Sequence, residues 1–154
     1  MNAKLFRILL NLYPPYFGTG IYVKKISDDY REVLVEMKLR WYNRNYVNTH
    51  FGGSIYAMTD PFYMLMLIQN LGKEYVVWDK SATIDFIKPG RGTVFAHFVI
   101  TEQQIQDILN HTKEGERYLP EFIVNVVDSN GDLIAVVKKV LYVRKKKGEA
   151  IPNK

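Results

Sequence analysis

The sequence predicts an α+β domain in which a curled antiparallel sheet wraps around one long buried helix, with a short helix at the N-terminus. Two patterns carry this prediction. Apolar and polar residues alternate from Val33 to Trp41, which is the period of a strand with one buried face and one solvated face. From Ser54 to Leu71 the residues are apolar nearly all round a helix, so the sheet or a second subunit must cover it on most sides.

The elements before the buried helix follow from local patterns. Residues 3–13 are predicted to form an amphipathic helix that covers part of the core and ends at the Pro14-Pro15 pair. Contact of this helix with a membrane surface is the alternative. Residues 21–26 form a first strand, and the turn at residues 28–29 joins it to the alternating strand as a hairpin.

Four strands are predicted after the buried helix, which can stop at Gly72. They span residues 75–87, 93–101, 122–127 and 133–143, with a short helix at residues 103–110 between the second and the third. Pro89-Gly90 marks a turn, and Asn130-Gly131 is a strong hairpin signal. Consecutive strands at hairpin spacing indicate an antiparallel sheet.

Composition limits the classes of function. The 154 residues fit one domain, 1–154, and the chain has no cysteine, which excludes disulfides and thiolate chemistry and is compatible with the cytoplasm that we expect. No apolar run is long enough for an integral membrane protein. The net charge of +5 comes largely from the C-terminal end, between Lys138 and Lys147, which we interpret as a solvated strand end and tail. Attraction of a polyanion is the alternative, but no nucleic-acid signature accompanies it.

Most catalytic and metal-binding motifs are absent from the sequence. There is no G-x-S-x-G elbow, no phosphate-binding glycine loop and no H-E-x-x-H. The three histidines, at positions 50, 97 and 111, lack metal-ligand spacing, so we expect no metal site. Residues 128–132 resemble the opening of a calcium loop, but Leu133 and Lys139 stand where such a loop needs glycine and glutamate. We interpret this segment as a turn.

The candidate site is the junction between the loop at residues 45–50 and the buried helix. Gly52 and Gly53 let the backbone approach a ligand where helix N–H groups are free, which predicts an oxyanion hole; a tight turn is the alternative. Asp60 is a carboxylate in an apolar segment, which suits a base or nucleophile, but a helix cap before Pro61 is also open. Lys88 and Arg91 flank a Pro-Gly turn and are placed for phosphates, or simply for solvent.

These residues resemble the hotdog-fold thioesterases, especially the phenylacetyl-CoA-type acyl-CoA thioesterases, and a hotdog branch of unknown function. The run Phe51-Gly52-Gly53 falls on the family's His-Gly-Gly motif, with His50 one place before it. Asp60 falls on the catalytic acid of the family, and Asn45 falls on its loop asparagine. The segment KPGRGT at residues 88–93 resembles the family's strand turn.

The resemblance implies an acyl-CoA thioesterase that acts as a homodimer or tetramer and needs no cofactor beyond the CoA of its substrate. Asp60 would be the base or nucleophile, the N–H groups at Gly52 and Gly53 would polarise the carbonyl, and Asn45 would orient water or substrate. The substrate would contact His50, Phe51, Tyr56, Tyr63, Lys88 and Arg91. The alternative is a non-catalytic protein of the same fold that binds acyl-CoA or an acyl-carrier protein.

Overall fold

The computed structural model describes residues 2–146 of the chain. Lys147, the last residue of the predicted basic run, lies outside this range. Within the described residues the elements follow in the order α1 (Ala3–Leu12), α2 (Pro14–Thr19), β1 (Ile21–Ile26), β2 (Glu32–Lys38), α3 (Gly52–Ala57), α4 (Phe62–Leu71), β3 (Tyr75–Phe86), β4 (Thr93–Val99), α5 (Glu102–Thr112), β5 (Arg117–Tyr118), β6 (Glu121–Asp128) and β7 (Leu133–Lys145).

The strands form one antiparallel sheet, as predicted. Its order is β1-β2-β4-β6-β7-β3, and the short β5 pairs with β7. The strands β1 and β3 are therefore the two edges of the sheet. Alternating residues of β2, β4, β6 and β7 are buried on one face, where they form a single hydrophobic cluster with α3 and α4. This is the wrapped arrangement that the alternation and the apolar helix predict.

The buried helix lies where it is predicted but is divided into α3 and α4. The break falls at residues 58–61, and the Asp60–Pro61 peptide bond is cis. Proline has no N–H for the helical ladder, so a helix cannot continue through it without losing a hydrogen bond. The second part, α4, lies in the hydrophobic core. Its residue Phe62 is buried, and the ring centroid of Phe62 lies 5.0 Å from that of Phe98 on β4.

The N-terminal helix α1 covers the core less than expected. Of its residues only Ala3 is fully buried, while Leu10 packs against the edge of the core. The helix lies beside the edge strand β1, where the side-chain amide of Asn11 accepts from the N–H of Val23 at 2.7 Å and donates to its carbonyl at 3.1 Å. Among residues 2–146, no helix combines the length and the apolar character needed to cross a bilayer.

Two details differ from the sequence prediction. The strand β2 ends at Lys38, because the chain turns at residues 41–43, and Trp41 is exposed instead of facing the core. The helix α2 and the two-residue strand β5 were not predicted. Each is too short to carry a periodic signal, and α2 begins with the proline pair that marks the end of α1.

Candidate functional site

A cavity of about 400 Å³ opens where α3 begins. Three segments form its walls: the loop at residues 45–50, the first turn of α3 and the turn that follows β3. Its lining residues are Asn45, Val47, Thr49, His50, Gly52, Ile55, Phe86, Ile87, Lys88 and Pro89. The cavity therefore brings Lys88 to three residues of the loop–helix junction that the sequence also singles out, Asn45, His50 and Gly52.

Asn45 organises the loop on one side of the cavity. Its side-chain NH₂ donates to the Thr49 hydroxyl at 2.8 Å and to the His50 carbonyl at 3.2 Å. Its side-chain oxygen accepts from the N–H groups of Val47 and Thr49, at 3.1 and 3.0 Å. The amide thus holds the loop together, and the predicted contact of Asn45 with water or substrate stays a prediction.

His50 fastens the loop to the turn that follows β3. Its backbone N–H donates to the Gly90 carbonyl at 3.0 Å, and its ring Nε2 lies 2.9 Å from the Gly92 carbonyl. A carbonyl only accepts, so Nε2 carries the proton and Nδ1 is bare. Nδ1 is buried and has no hydrogen-bond partner among the described residues. Burial lowers the pKa of His50, which keeps the ring neutral.

Of the two glycines, Gly52 lines the cavity at the first turn of α3, whereas Gly53 does not. The N–H groups of Ser54 and Ile55 donate to the Phe51 carbonyl, whereas those of Gly52 and Gly53 have no acceptor among residues 2–146. A side chain at position 52 would have its Cβ 3.0 Å from the ring of Phe86. Glycine is therefore needed for the close approach of this backbone to the cavity wall.

Of the remaining predicted contacts, only Lys88 lines the cavity. Lys88 lines it and forms an ion pair with Asp132 at 2.5 Å, whereas Arg91 is exposed on the same turn but does not line it. Phe51 is exposed beside the cavity, and its ring covers Gly53. Tyr63 is buried in the core, where its hydroxyl donates to the Ile123 carbonyl at 3.0 Å.

Asp60 lies outside the lining of the cavity of its own chain and forms a buried charge cluster with Lys139 and Asp79. Lys139 Nζ donates to Asp60 Oδ1 at 2.6 Å and lies 3.0 Å from Asp79 Oδ1, without the alignment of a hydrogen bond. The Lys139 side chain is wholly buried, while those of Asp60 and Asp79 are 44% and 23% exposed. The Tyr56 ring lies above the ammonium group at 5.6 Å.

The cluster fixes the charge of Lys139. Burial by itself would lower the pKa of Lys139, but the two carboxylates outweigh it and hold the pKa above its ordinary value. Burial raises the pKa of Asp79 against the attraction of Lys139, and the nearby Asp60 carboxylate adds to this. The ammonium group of Lys139 is therefore shared by two carboxylates. Its hydrogen bond goes to Asp60, the more exposed of the two.

The geometry answers the question of a helix cap. Pro61 is the N-cap residue of α4, and no side chain donates or accepts a capping hydrogen bond there. The carboxylate of Asp60 is bound to Lys139, and the backbone carbonyl of Asp60 accepts from the Tyr16 hydroxyl. Asp60 is thus anchored on both sides, by β7 and by α2, with part of its carboxylate open to solvent.

Sequence reasoning missed Lys139 and Asp79. A signal for Lys139 is present, because the alternation Val137, Lys139, Leu141, Val143 places the lysine on the buried face of β7. Asp79 carries no such signal, since a bulge at positions 79–81 shifts the register of β3 against β7. Among residues 2–146 no group of three or more His, Asp or Glu side chains is arranged to hold a metal ion.

Several solved structures share this fold at low sequence identity. PA5026 of Pseudomonas aeruginosa, described as a protein of unknown function and probable thioesterase, is 14% identical with a TM-score of 0.82, over 94% of this chain and 97% of that one. The thioesterase HI1161 of Haemophilus influenzae is 13% identical with a TM-score of 0.70, over 97% and 95%. The E. coli PaaI protein, from the phenylacetic acid degradation operon, is 12% identical with a TM-score of 0.60, over 94% and 93%.

These similarities identify the fold as the hotdog fold, in agreement with the resemblance seen in the sequence. No curated protein is significantly similar in sequence. A family model described as "Domain of unknown function (DUF4442)" matches residues 2–143. Since this match spans nearly the whole chain, the protein belongs to the DUF4442 family.

Proposed function

We propose that this protein is a thioesterase that hydrolyses an acyl-CoA at the cavity beside α3. The observation that carries the proposal is the convergence on one cavity of Gly52, whose backbone N–H has no acceptor among residues 2–146, with apolar walls and a lysine. The N–H of Gly52 suits a carbonyl oxygen that gains negative charge, and Phe86 and Ile87 suit an acyl or pantetheine chain. Lys88 suits a phosphate of CoA. The thioesterases among the structural neighbours support the same reaction class.

In this mechanism Asp60 takes a proton from a water molecule, whose oxygen attacks the carbonyl carbon of the thioester. The carbonyl oxygen becomes an oxyanion that accepts from the N–H of Gly52. When the carbon–sulfur bond breaks, Asp60 returns the proton to the leaving sulfur, and the products are a carboxylic acid and free CoA. Lys139 acts as a positioning residue, because its hydrogen bond to Oδ1 fixes the carboxylate while the exposed part stays open to water.

The separation of Asp60 from the cavity of its own chain favours a shared site in a homodimer. Asp60 follows Gly52 by eight residues and does not line the cavity. The edge strand β3 has twelve residues and ends at the cavity wall. No strand within residues 2–146 pairs with its outer edge, so a second copy can extend the sheet there. We propose that β3 pairs with its counterpart and brings Asp60 of one subunit to the cavity of the other.

The test is release of free thiol from short, aryl and long-chain acyl-CoAs. Asp60→Asn is expected to lose about 100-fold or more in rate, the usual contribution of a general base. Asp28→Asn, an exposed carboxylate in the turn between β1 and β2, is the matched control and is expected to keep the full rate. If no thioester is cleaved, or if Asp60→Asn cleaves as well as the wild type, hydrolysis through Asp60 is wrong.

Subunit mixing tests the shared site. Gly52→Val is expected to be inactive, because its side chain would meet the Phe86 ring. Asp60→Asn is expected to be inactive, because it lacks the carboxylate that acts as the general base. A heterodimer of the two variants holds one site with both native residues only if Gly52 and Asp60 come from different subunits. Mixing should then restore activity, whereas two within-chain sites would stay inactive.

One observation favours the alternative of a non-catalytic binding protein. The carboxylate of Asp60 does not line the cavity of its own chain, and its Oδ1 already accepts a hydrogen bond from Lys139. On this hypothesis the cavity holds the acyl-CoA or an acyl-carrier prosthetic group without cleaving it. Isothermal titration of a non-hydrolysable acyl-CoA analogue, together with the thiol assay, separates the two functions. Tight binding with no thiol release indicates the binding protein.

A further inference from the structure

The helix α1 presents its most apolar side to the outside of the protein. Four large aliphatic residues, each between 49% and 66% exposed, are Leu5, Ile8, Leu9 and Leu12. Their spacing of three and four residues places them on one side of the helix. An exposed stripe of this kind is unusual on a soluble surface and marks a site of interaction.

Polar contacts hold α1 in this orientation. Arg7 donates from its guanidinium group to the Lys24 carbonyl at 3.0 Å, and Asn11 holds Val23 on the same strand. Both of these polar residues face β1, while the aliphatic stripe faces away from the protein. In an ordinary amphipathic surface helix the polar side faces outward instead. The outward direction of the aliphatic stripe is thus fixed by three polar atoms of the edge strand, the carbonyl of Lys24 and both the N–H and the carbonyl of Val23.

Neighbouring segments extend the apolar surface. Tyr13 and Phe17, at the start and near the end of α2, are exposed. The loop at residues 39–48 is joined to the end of α2 by the Asn43 side chain, which donates to the Thr19 carbonyl at 3.0 Å. This loop exposes the large side chains of Trp41, Tyr42, Tyr46 and Val47. We call the exposed side of α1, α2 and this loop the α1 surface.

The chain segments that form the α1 surface carry only positive charges, and the nearest acid, Glu36 of β2, lies beside Arg40 and Tyr42. Residues 2–27 include four lysines or arginines and no Asp or Glu, and residues 39–59 include Arg40 and Arg44 and again no acid. Within residues 2–146, Lys4, Arg40 and Arg44 form no ion pair. Aliphatic and aromatic side chains with unpaired cations are the composition of helices that lie in the interface of an anionic bilayer.

We propose that the α1 surface docks on an anionic lipid membrane, with α1 lying in the plane of the interface. A second copy of the chain is a poorer occupant, because a twofold contact would bring together two surfaces that carry the same unpaired cations. A lipid interface needs only one apolar side, and an anionic one supplies the opposite charge.

Docking would bring the candidate cavity to the membrane. The loop at residues 39–48 contributes Trp41 to the α1 surface and both Asn45 and Val47 to the cavity wall. A ligand whose apolar chain partitions into lipid would thus reach the cavity from the membrane side. The docking inference does not rest on the proposed hydrolysis, since it concerns a different surface and is measured without substrate.

The test is flotation of the full-length protein with vesicles of phosphatidylcholine containing one third phosphatidylglycerol. The wild type is expected to float with these vesicles and to remain free with phosphatidylcholine alone. Leu9→Glu with Leu12→Glu should lower the partition at least about tenfold, because two buried leucines are lost. Lys4→Gln should lower it about fivefold, and salt raised from about 0.1 to about 0.5 M should weaken it further.

Matched variants away from α1 keep the test specific. Ile123→Glu changes an exposed aliphatic residue of β6, and Lys113→Gln changes an exposed lysine after α5; both should float like the wild type. Membrane docking is wrong if the wild type ignores anionic vesicles, or if the α1 variants float equally well. It is also wrong if Leu9→Glu with Leu12→Glu converts a protein dimer into a folded monomer in sedimentation velocity, since the surface would then be a subunit contact.

Discussion

Removing the charge of Lys139 should be among the most destabilising single changes in this protein. In Lys139→Met the side chain keeps its length and fills the same buried space, but two carboxylates lose the cation with which they pair within residues 2–146. Asp79 is then an unpaired carboxylate that is largely covered by protein, 3.0 Å from where the ammonium group stood. The loss of stability comes mainly from leaving the Asp79 carboxylate unpaired and poorly solvated, and less from losing its attraction to Lys139.

The size of the effect follows from the exposure of the two carboxylates. Breaking a fully buried ion pair costs about 3–5 kcal/mol. Asp60 is 44% exposed, so water compensates part of its loss, while Asp79 at 23% exposure is compensated less. We therefore expect Lys139→Met to lower the free energy of unfolding by about 2–4 kcal/mol near neutral pH. This is less than the cost for a fully buried pair, because both carboxylates are partly exposed.

The neighbouring lysine provides the control. Lys138 lies one residue earlier on β7 and forms an exposed ion pair with Glu121 at 2.7 Å, so Lys138→Met should cost at most about 1 kcal/mol. Both variants are unfolded in urea, followed by circular dichroism at one protein concentration. If Lys139→Met costs no more than Lys138→Met, the buried cluster does not stabilise the protein as argued.

A second substitution makes the test stricter, because the sign of its effect should reverse. In the wild type, Asp79→Asn removes a charge that Lys139 attracts, and it should destabilise or leave stability unchanged. In Lys139→Met it removes the abandoned carboxylate and should recover at least about 1 kcal/mol. Equal effects of Asp79→Asn in both backgrounds would show that the two side chains are not coupled.

Three further predictions concern other buried groups. Burial lowers the pKa of His50, so its contribution to stability is full above pH 6.5 and is lost as the pH falls below that value. His50→Gln keeps an N–H for the Gly92 carbonyl but cannot take up a proton. In urea unfolding, the variant should therefore lose less stability between about pH 6.5 and about pH 5 than the wild type loses. An equal loss in both proteins would contradict a neutral His50 ring in the folded state. Burial raises the pKa of Tyr63 to about 12 from 10.0, so its contribution is full below pH 10 and is lost as the pH rises towards 12. Tyr63→Phe should make this alkaline decline shallower by up to about 1.4 kcal/mol per pH unit, and an unchanged slope in urea titrations would refute the assignment. A Cβ at Gly90 would lie 3.1 Å from Ile134 and 3.3 Å from the His50 ring, so thermal unfolding of Gly90→Ala should show a loss of about 1–3 kcal/mol, and no loss would mean that the turn relaxes freely.

Hydrophobic periodicity allowed most of the fold to be predicted. The alternation in β2 and the apolar helix are long patterns, and burial on one face or on all faces produces them directly. Trp41 was misplaced because the alternation continues for three residues after the strand has ended. The orientation of α1 could not be predicted, since its aliphatic stripe suits the core, and only the contacts of Arg7 and Asn11 with β1 turn it outward.

The site was predicted in part for a similar reason. Asn45, His50, Gly52 and Lys88 belong to turns and loops with their own sequence signals, and the fold brings them to one cavity. The partner of Asp60 is 79 residues away in the chain, and a single sequence does not show which residues meet over such a distance. From the sequence, Lys139 is interpreted as part of a solvated strand end, which is wrong for this residue because its side chain is wholly buried on β7.

The order of the strands gives β7 a special place in folding. Although β7 is the last strand within residues 2–146, it lies between β6 and β3, so Phe86 pairs with Ala135 and Tyr75 with Lys145. These contacts span a large part of the sequence, and such non-local pairings form slowly. During synthesis β3 must remain without its neighbour, and Asp60 without its cation, until β7 has left the ribosome. A chain truncated before β7 therefore cannot form the charge cluster.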